Sequence, residues 1–215
     1  MHDHIDPFRM PAPQVSSLRW ADAGLLFVFF ASGAAALVYQ VCWQRMLYGA
    51  FGIDLESITL IVSAFMLGLG CGALIGGFVA DRFPSRIVVA FGVVELLIGG
   101  FGVASPMLIS NVADSFVHAG RPLVFMINFL LLLAPTTAMG ATLPMLVAHL
   151  HRRSGNVGFS IGQLYLSNTF GAALGCLTTS FVAFHYLTLD ETIWSAALVN
   201  GFVGGSAFTW LRRGA

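Results

Sequence analysis

The run GGFVADRFPSR, Gly76 to Arg86, decides the fold. It sets Asp81, Arg82 and Arg86 in a short charged turn between two long apolar stretches. A stretch of about 20 apolar residues is long enough to cross the hydrocarbon core of a bilayer as a helix. Only helices and closed barrels satisfy their backbone polar groups there. The turn therefore reads as a tight hairpin at a membrane face, and the chain as a polytopic membrane protein.

Composition agrees. Hydrophobic residues make up 57% of the 215 residues and charged residues only 9%, with a mean hydropathy of +0.84. Soluble domains carry roughly 25% charged residues, so most of this chain has nowhere to show charge to water. Net charge is zero, which gives no argument for a nucleic-acid partner. The lipid bilayer is the first partner expected.

Working outward from the hairpin, apolar runs predict six transmembrane helices near residues 23–43, 57–80, 87–109, 122–148, 158–183 and 192–211. The expected organisation is a polar tail at residues 1–22, an all-α six-helix domain at 23–211 and a short end at 212–215. The tail is polar and shows no apolar core with a cleavage site, so a cleaved signal peptide is not expected. Arg9, Arg19, Arg82, Arg86, Arg152, Arg153, Arg212 and Arg213 would fall on one side, and Arg45 and Arg121 on the other. The positive-inside rule then puts both termini in the cytoplasm, across the inner membrane of a bacterium. Asp54, Glu56, Asp114, Asp190 and Glu191 would lie outside.

Small residues predict the packing. Gly68, Gly72 and Gly76 line one face of the second span, and Gly171 and Gly175 repeat the spacing in the fifth. Such rows let a neighbouring backbone approach closely. The likeness of the second and fifth spans suggests two three-helix units of opposite orientation, a 3+3 inverted repeat. Pro135 and Pro144 each remove a backbone donor, so the fourth span is expected to kink or partly unwind. Thr136, Thr137 and Thr142 would satisfy the freed carbonyls.

Glu95 is the acid well inside a span, about 12 Å from its start at 1.5 Å per residue. Asn168 and Asn200 fall at similar depth on two other helices. Three polar side chains in one layer admit two readings: a site for a cation, proton or amine-bearing solute, or an interhelical hydrogen bond between Glu95 and an asparagine. Tyr39, Gln40, Trp43 and Arg45 end the first span, as an access rim or, more plainly, an aromatic belt with a snorkelling arginine. Gln163 and Tyr165 pose the same choice in the fifth span, and Asn128 reads as packing glue. His2/His4 and His149/His151 lack a second cluster and read as solvated pairs. Cys42, Cys71 and Cys176 have no CxxC spacing and read as small core residues. Gly68-x-Gly70-x-x-Ala73 sits inside a span without a preceding strand, so it is no dinucleotide fingerprint. No nucleophile–base set is visible. Neither enzymatic activity, a metal nor a cofactor is expected.

Two resemblances follow from these motifs. Gly77-x-x-x-Asp81-Arg82-x-x-x-Arg86 resembles the loop between the second and third helices of major facilitator superfamily transporters, with Pro84 where glycine is usual and one terminal basic residue in place of two. There the Asp and Arg latch one six-helix half to the other, so Asp81, Arg82 and Arg86 would form a cytoplasmic latch to a second protomer. The stretches SGAAALVYQVCWQRMLYGAFG, FMLGLGCGALIGGFVADR, VELLIGG, AMGATLP and LYLSNTFGAALG span residues 32–175. They are similar to the membrane domain of bacterial fused spermidine-synthase-like proteins. That resemblance implies a facilitator-like module of six or seven helices beside a soluble synthase domain whose nucleotide-binding strands and catalytic acid these residues do not contain. The expected function is a half-facilitator-like module that binds or moves an amine or polyamine, with Glu95 as counter-charge and Asn168 and Asn200 orienting the solute. It would act as a homodimer or with other membrane subunits. The alternatives are a structural subunit of a membrane complex and a membrane anchor for a separate aminopropyltransferase.

Overall fold

A computed structural model describes residues 20–51, 54–116 and 120–214. Its helices are α1 (Trp20–Phe51), α2 (Asp54–Arg82), α3 (Ile87–Ser115), α4 (Arg121–Ser154), α5 (Val157–Thr178), the single turn α6 (Phe184–Tyr186) and α7 (Leu189–Gly214). No strand occurs among the described residues. Five of the expected spans each lie within one helix, and the fifth, 158–183, runs through α5 into a π-helical turn, Thr179–Ala183. Among the described residues, four stretches are long and apolar enough to cross a membrane: Ala23–Gly49, Leu55–Arg82, Pro84–Ser115 and Pro122–Ser154.

The turns form as their residues dictate. Between α2 and α3, Pro84 opens a 3-10 turn, Pro84–Arg86, with the Arg86 amide donating to the Phe83 carbonyl at 3.0 Å. Asp81, Arg82 and Arg86 are exposed there, and the Arg82 guanidinium lies over the Phe83 ring. Gly155 ends α4 at φ +69, a left-handed geometry that glycine adopts without steric cost. Asn156 then caps α5, its side chain accepting from the Phe159 amide at 2.9 Å. Thr188 and Glu191 form a reciprocal capping box at the start of α7.

Helix packing follows the glycines. The most extensively packed pairs are α2 with α4, α1 with α5, and α3 with α7, followed by α3 with α4 and α1 with α7. Gly68, Gly72 and Gly76 press against Thr136, Thr137, Gly140 and Ala141 of α4. Gly171 and Gly175 press against the Phe30 and Ala34 backbone of α1. Both pairs are parallel, since contacts advance together along the two chains; Ser167 meets Leu26, Gly171 meets Phe30 and Gly175 meets Ala34. The α3–α7 pair is antiparallel, with Gly92 against Ala207 and Gly99 against Ala197.

One expectation needs correcting. The fourth span does not unwind: α4 stays helical through Pro135 and Pro144. Its threonines bond the neighbouring carbonyls of Leu132, Leu133 and Met139, and Thr136 also reaches the Ala64 carbonyl of α2. Close packing on α2 holds the helix together where two amide donors are missing. The backbone irregularity falls in the fifth span, where a π-helical turn, Thr179–Ala183, follows α5.

Candidate functional site

α1, α3 and α7 meet around Glu95. Its carboxylate is fully buried. The Ser32 hydroxyl donates to Oε1 at 2.6 Å, and the Asn200 amide donates to Oε2 at 2.6 Å. Asn200 Oδ1 in turn accepts the Tyr39 hydroxyl at 2.9 Å. Four side chains from three helices thus form one continuous chain of hydrogen bonds. Donors on both oxygens offset part of what burying a carboxyl group costs.

Tyr39 and Trp43 are not an aromatic belt. Both are fully buried and stack at 5.1 Å between ring centroids. The Trp43 indole donates to Ser105 Oγ at 2.8 Å. Buried Tyr and Trp keep their polar tips bonded, and here the partners lie on α3 and α7 rather than at the membrane surface. Gly102 makes room, since a Cβ there would sit 2.5 Å from the Tyr39 hydroxyl. Arg45, by contrast, is exposed.

Beside this network lies a half-open cavity of about 220 Å³ between α1, α2, α4 and α5. Ser32, Thr142, Tyr165, Asn168 and Asn200 supply its polar lining. Ser32 stands nine residues into its span, about 14 Å deep at 1.5 Å per residue, so the cavity sits near mid-depth. Glu95 does not line it. Ser32 and Asn200 stand between, each touching the carboxylate on one side and the cavity on the other. Of the expected trio, Glu95 and Asn200 are joined directly. Asn168 belongs to the cavity, set against the α1 backbone at Gly33.

Other expected groups fall elsewhere. Asn128 is buried and donates to the Val124 carbonyl of its own helix at 3.0 Å, leaving Oδ1 without a partner. Gln163 is half-buried on α5. His149 and His151 lie near the end of α4; His2 and His4 lie outside the described residues, as do Arg9 and Arg19. No His, Cys, Asp or Glu cluster able to hold a metal occurs among the described residues. Ser32 and Tyr39 were missed as network members. The signal was present: Ser32, Tyr39 and Trp43 recur at seven and eleven residues, one face of α1.

Comparison with known proteins places similarity in two groups. A triacylglyceride transporter of Mycobacteroides abscessus is 36% identical over 72 residues, 34% of this chain and 13% of that protein. One of Mycolicibacterium smegmatis is 34% identical over 83 residues, 39% of this chain and 15% of that protein. A polyamine aminopropyltransferase of Mycobacterium tuberculosis is 26% identical over 204 residues, 92% of this chain but 37% of that protein. The chain therefore spans well under half the length of these relatives. No family profile and no solved structure matches it. The similarity and the apolar helices together mark a membrane-type helical protein related distantly to both groups.

Proposed function

We propose that the chain is a half-facilitator-like module of a bacterial inner membrane that binds and moves an amine-bearing solute, polyamines being the leading class. The half-open polar cavity carries this reading. Polar groups at mid-depth are costly against acyl chains, so the open side calls for a cover. A second copy brings a matching half-cavity and roughly doubles the volume towards that of small-molecule sites. Glu95, one hydrogen bond behind the lining, lends the cavity negative potential that low-dielectric surroundings screen weakly. Asn168 and Asn200 then orient the solute, and exposed Asp81, Arg82 and Arg86 serve as the latch to the second copy.

In this reading six helices span the membrane, with both termini cytoplasmic. α5 and α7 are less apolar because their polar residues serve the cavity and the Glu95 network. An inverted 3+3 repeat is supported by the packing. Exchanging α1 with α4, α2 with α5 and α3 with α7 turns α2–α4 into α1–α5 and α3–α4 into α1–α7, and returns α3–α7 to itself. The transporter relatives carry their printed activity, and the aminopropyltransferase relative points to polyamine chemistry nearby.

The test is uptake of radiolabelled spermidine by proteoliposomes containing the full chain. Wild type should accumulate it, and Glu95→Gln should lower the rate about tenfold, the worth of losing a charge that acts on the cavity through low-dielectric surroundings. Equal uptake by the variant removes the assignment.

A structural subunit is the second reading, favoured by the complete enclosure of Glu95 with both oxygens bonded. It expects no spermidine flux in wild type and co-purification with other membrane subunits in fixed ratio.

A further inference from the structure

A second pocket, of about 440 Å³, opens where α1 meets the π-helical turn after α5, well away from the Glu95 network. Gln44, Arg45 and Tyr48 of α1 line it with Ser180 and Phe184 across the gap. Residues 41, 44, 45 and 48 share one helix face at spacings of three and four. The extra residue of a π-helical turn shifts the register of the helix that follows. Here Ser180 lies within that turn and Phe184 just after it, and both border the pocket. The Arg45 guanidinium lies over the Phe184 ring, 5.0 Å from its centroid. A guanidinium held on a ring face can still offer N–H donors at its edge.

Arg45 is the one charged side chain of this lining and no acid opposes it, while Gln44, Tyr48 and Ser180 can each turn a donor towards a bound group. That single unopposed charge favours an anion. Arg45 stands four residues before the end of the Ala23–Gly49 span, about 6 Å along the helix. At that depth the abundant anion is the phosphodiester of a lipid headgroup, with acyl chains running down the adjoining apolar surface. We propose that this pocket seats the phosphodiester of an anionic phospholipid, with Arg45 as the charged donor and Gln44, Tyr48 and Ser180 completing the contacts.

Native mass spectrometry of the full chain in gentle detergent, with added phosphatidylglycerol or phosphatidylcholine, tests this. Wild type should retain one phosphatidylglycerol and little phosphatidylcholine. Arg45→Gln should lower retention about tenfold, as expected for losing a charged hydrogen bond. Phe184→Leu, which removes the ring but no charge, should fall between. Arg153→Gln, near the end of α4, should match wild type. Gel filtration confirms that each variant is folded. Equal retention by Arg45→Gln, or an equal loss in Arg153→Gln, overturns the site. Displacement of the lipid by millimolar inorganic phosphate would overturn the lipid as its occupant.

Discussion

Asn200 and Glu95, 105 residues apart, meet at 2.6 Å in the antiparallel contact of α7 with α3. The asparagine is the hinge of the network, donating to Glu95 while accepting from Tyr39. Removing it strips partners from two buried groups at once, one of them a carboxyl. Asn200→Leu should therefore cost on the order of 3 kcal/mol. Glu95→Gln keeps an acceptor for Asn200, and its amide N–H can donate to a Ser32 hydroxyl that rotates to accept, so it should cost about 1 kcal/mol or less. Unfolding titrations in mixed micelles would measure both. Equal losses would mean that the network does not couple the three helices.

The Tyr39 ring depends on the absence of a side chain across from it. Gly102→Ala places a methyl against the hydroxyl end of the ring, and overpacking of this kind costs about 1–3 kcal/mol. Tyr39→Phe loses only the bond to Asn200, about 1 kcal/mol. Near-ultraviolet circular dichroism should report the loss of Tyr39–Trp43 stacking in Gly102→Ala and its retention in Tyr39→Phe. An unchanged spectrum in both would show that the ring tolerates displacement.

How much of this was legible follows from what a sequence can measure. Depth along a helix is a count of residues, so the hairpin at Asp81–Arg86 and the shared layer of Glu95, Asn168 and Asn200 could be read. The glycine faces were legible too, because a repeat of four fixes a direction on the helix without reference to its neighbours. What the count omits is the angle at which each helix faces the others. That angle puts Tyr39 and Trp43 in the core rather than at the surface, and sends Asn168 to the cavity while Asn200 meets Glu95. The π-helical turn at Thr179–Ala183 had no proline or glycine signal inside it. The two prolines of α4 signalled an unwinding that does not occur in a helix packed closely on Gly68 and Gly72.

At the start of α7 the Thr188 amide donates to the Glu191 carboxylate at 2.8 Å and the Thr188 hydroxyl at 2.9 Å. The backbone bond first, then the hydroxyl bond, hold that carboxyl below the usual carboxylate range. The sign follows: a depressed folded value stabilises the cap above the ordinary pKa of about 4.3. That contribution disappears as pH falls through the lower folded value. Amide exchange at Glu191 and Thr192 should be slow at neutral pH and speed up, beyond its intrinsic pH dependence, in acid. Glu191→Gln should remove the acid-induced change. Persistence of the change in that variant would assign it to another group.

Gly70 and Gly72 stand two residues apart on α2 and face opposite worlds. A Cβ at Gly72 would run into the Thr137 carbonyl and the backbone at Gly140 and Ala141, whereas a Cβ at Gly70 meets nothing within 4 Å. Gly72→Val therefore has no room in the α2–α4 contact and should destabilise the protomer by about 3 kcal/mol or prevent its accumulation in the membrane. Gly70→Val should leave the protomer as stable as wild type. Its place is the open face beside the cavity, where Leu69 and Ala73 of the same helix form part of the lining. If a second copy covers that cavity, a valine at Gly70 sits in the seam, so the dimer should weaken while the monomer stays folded. Intact-complex mass spectrometry separates the two effects, because mass reports assembly and survival in detergent reports fold. A Gly70→Val protein that remains dimeric would place the partner elsewhere, and a monomeric wild type would leave the cavity to lipid or to a different subunit.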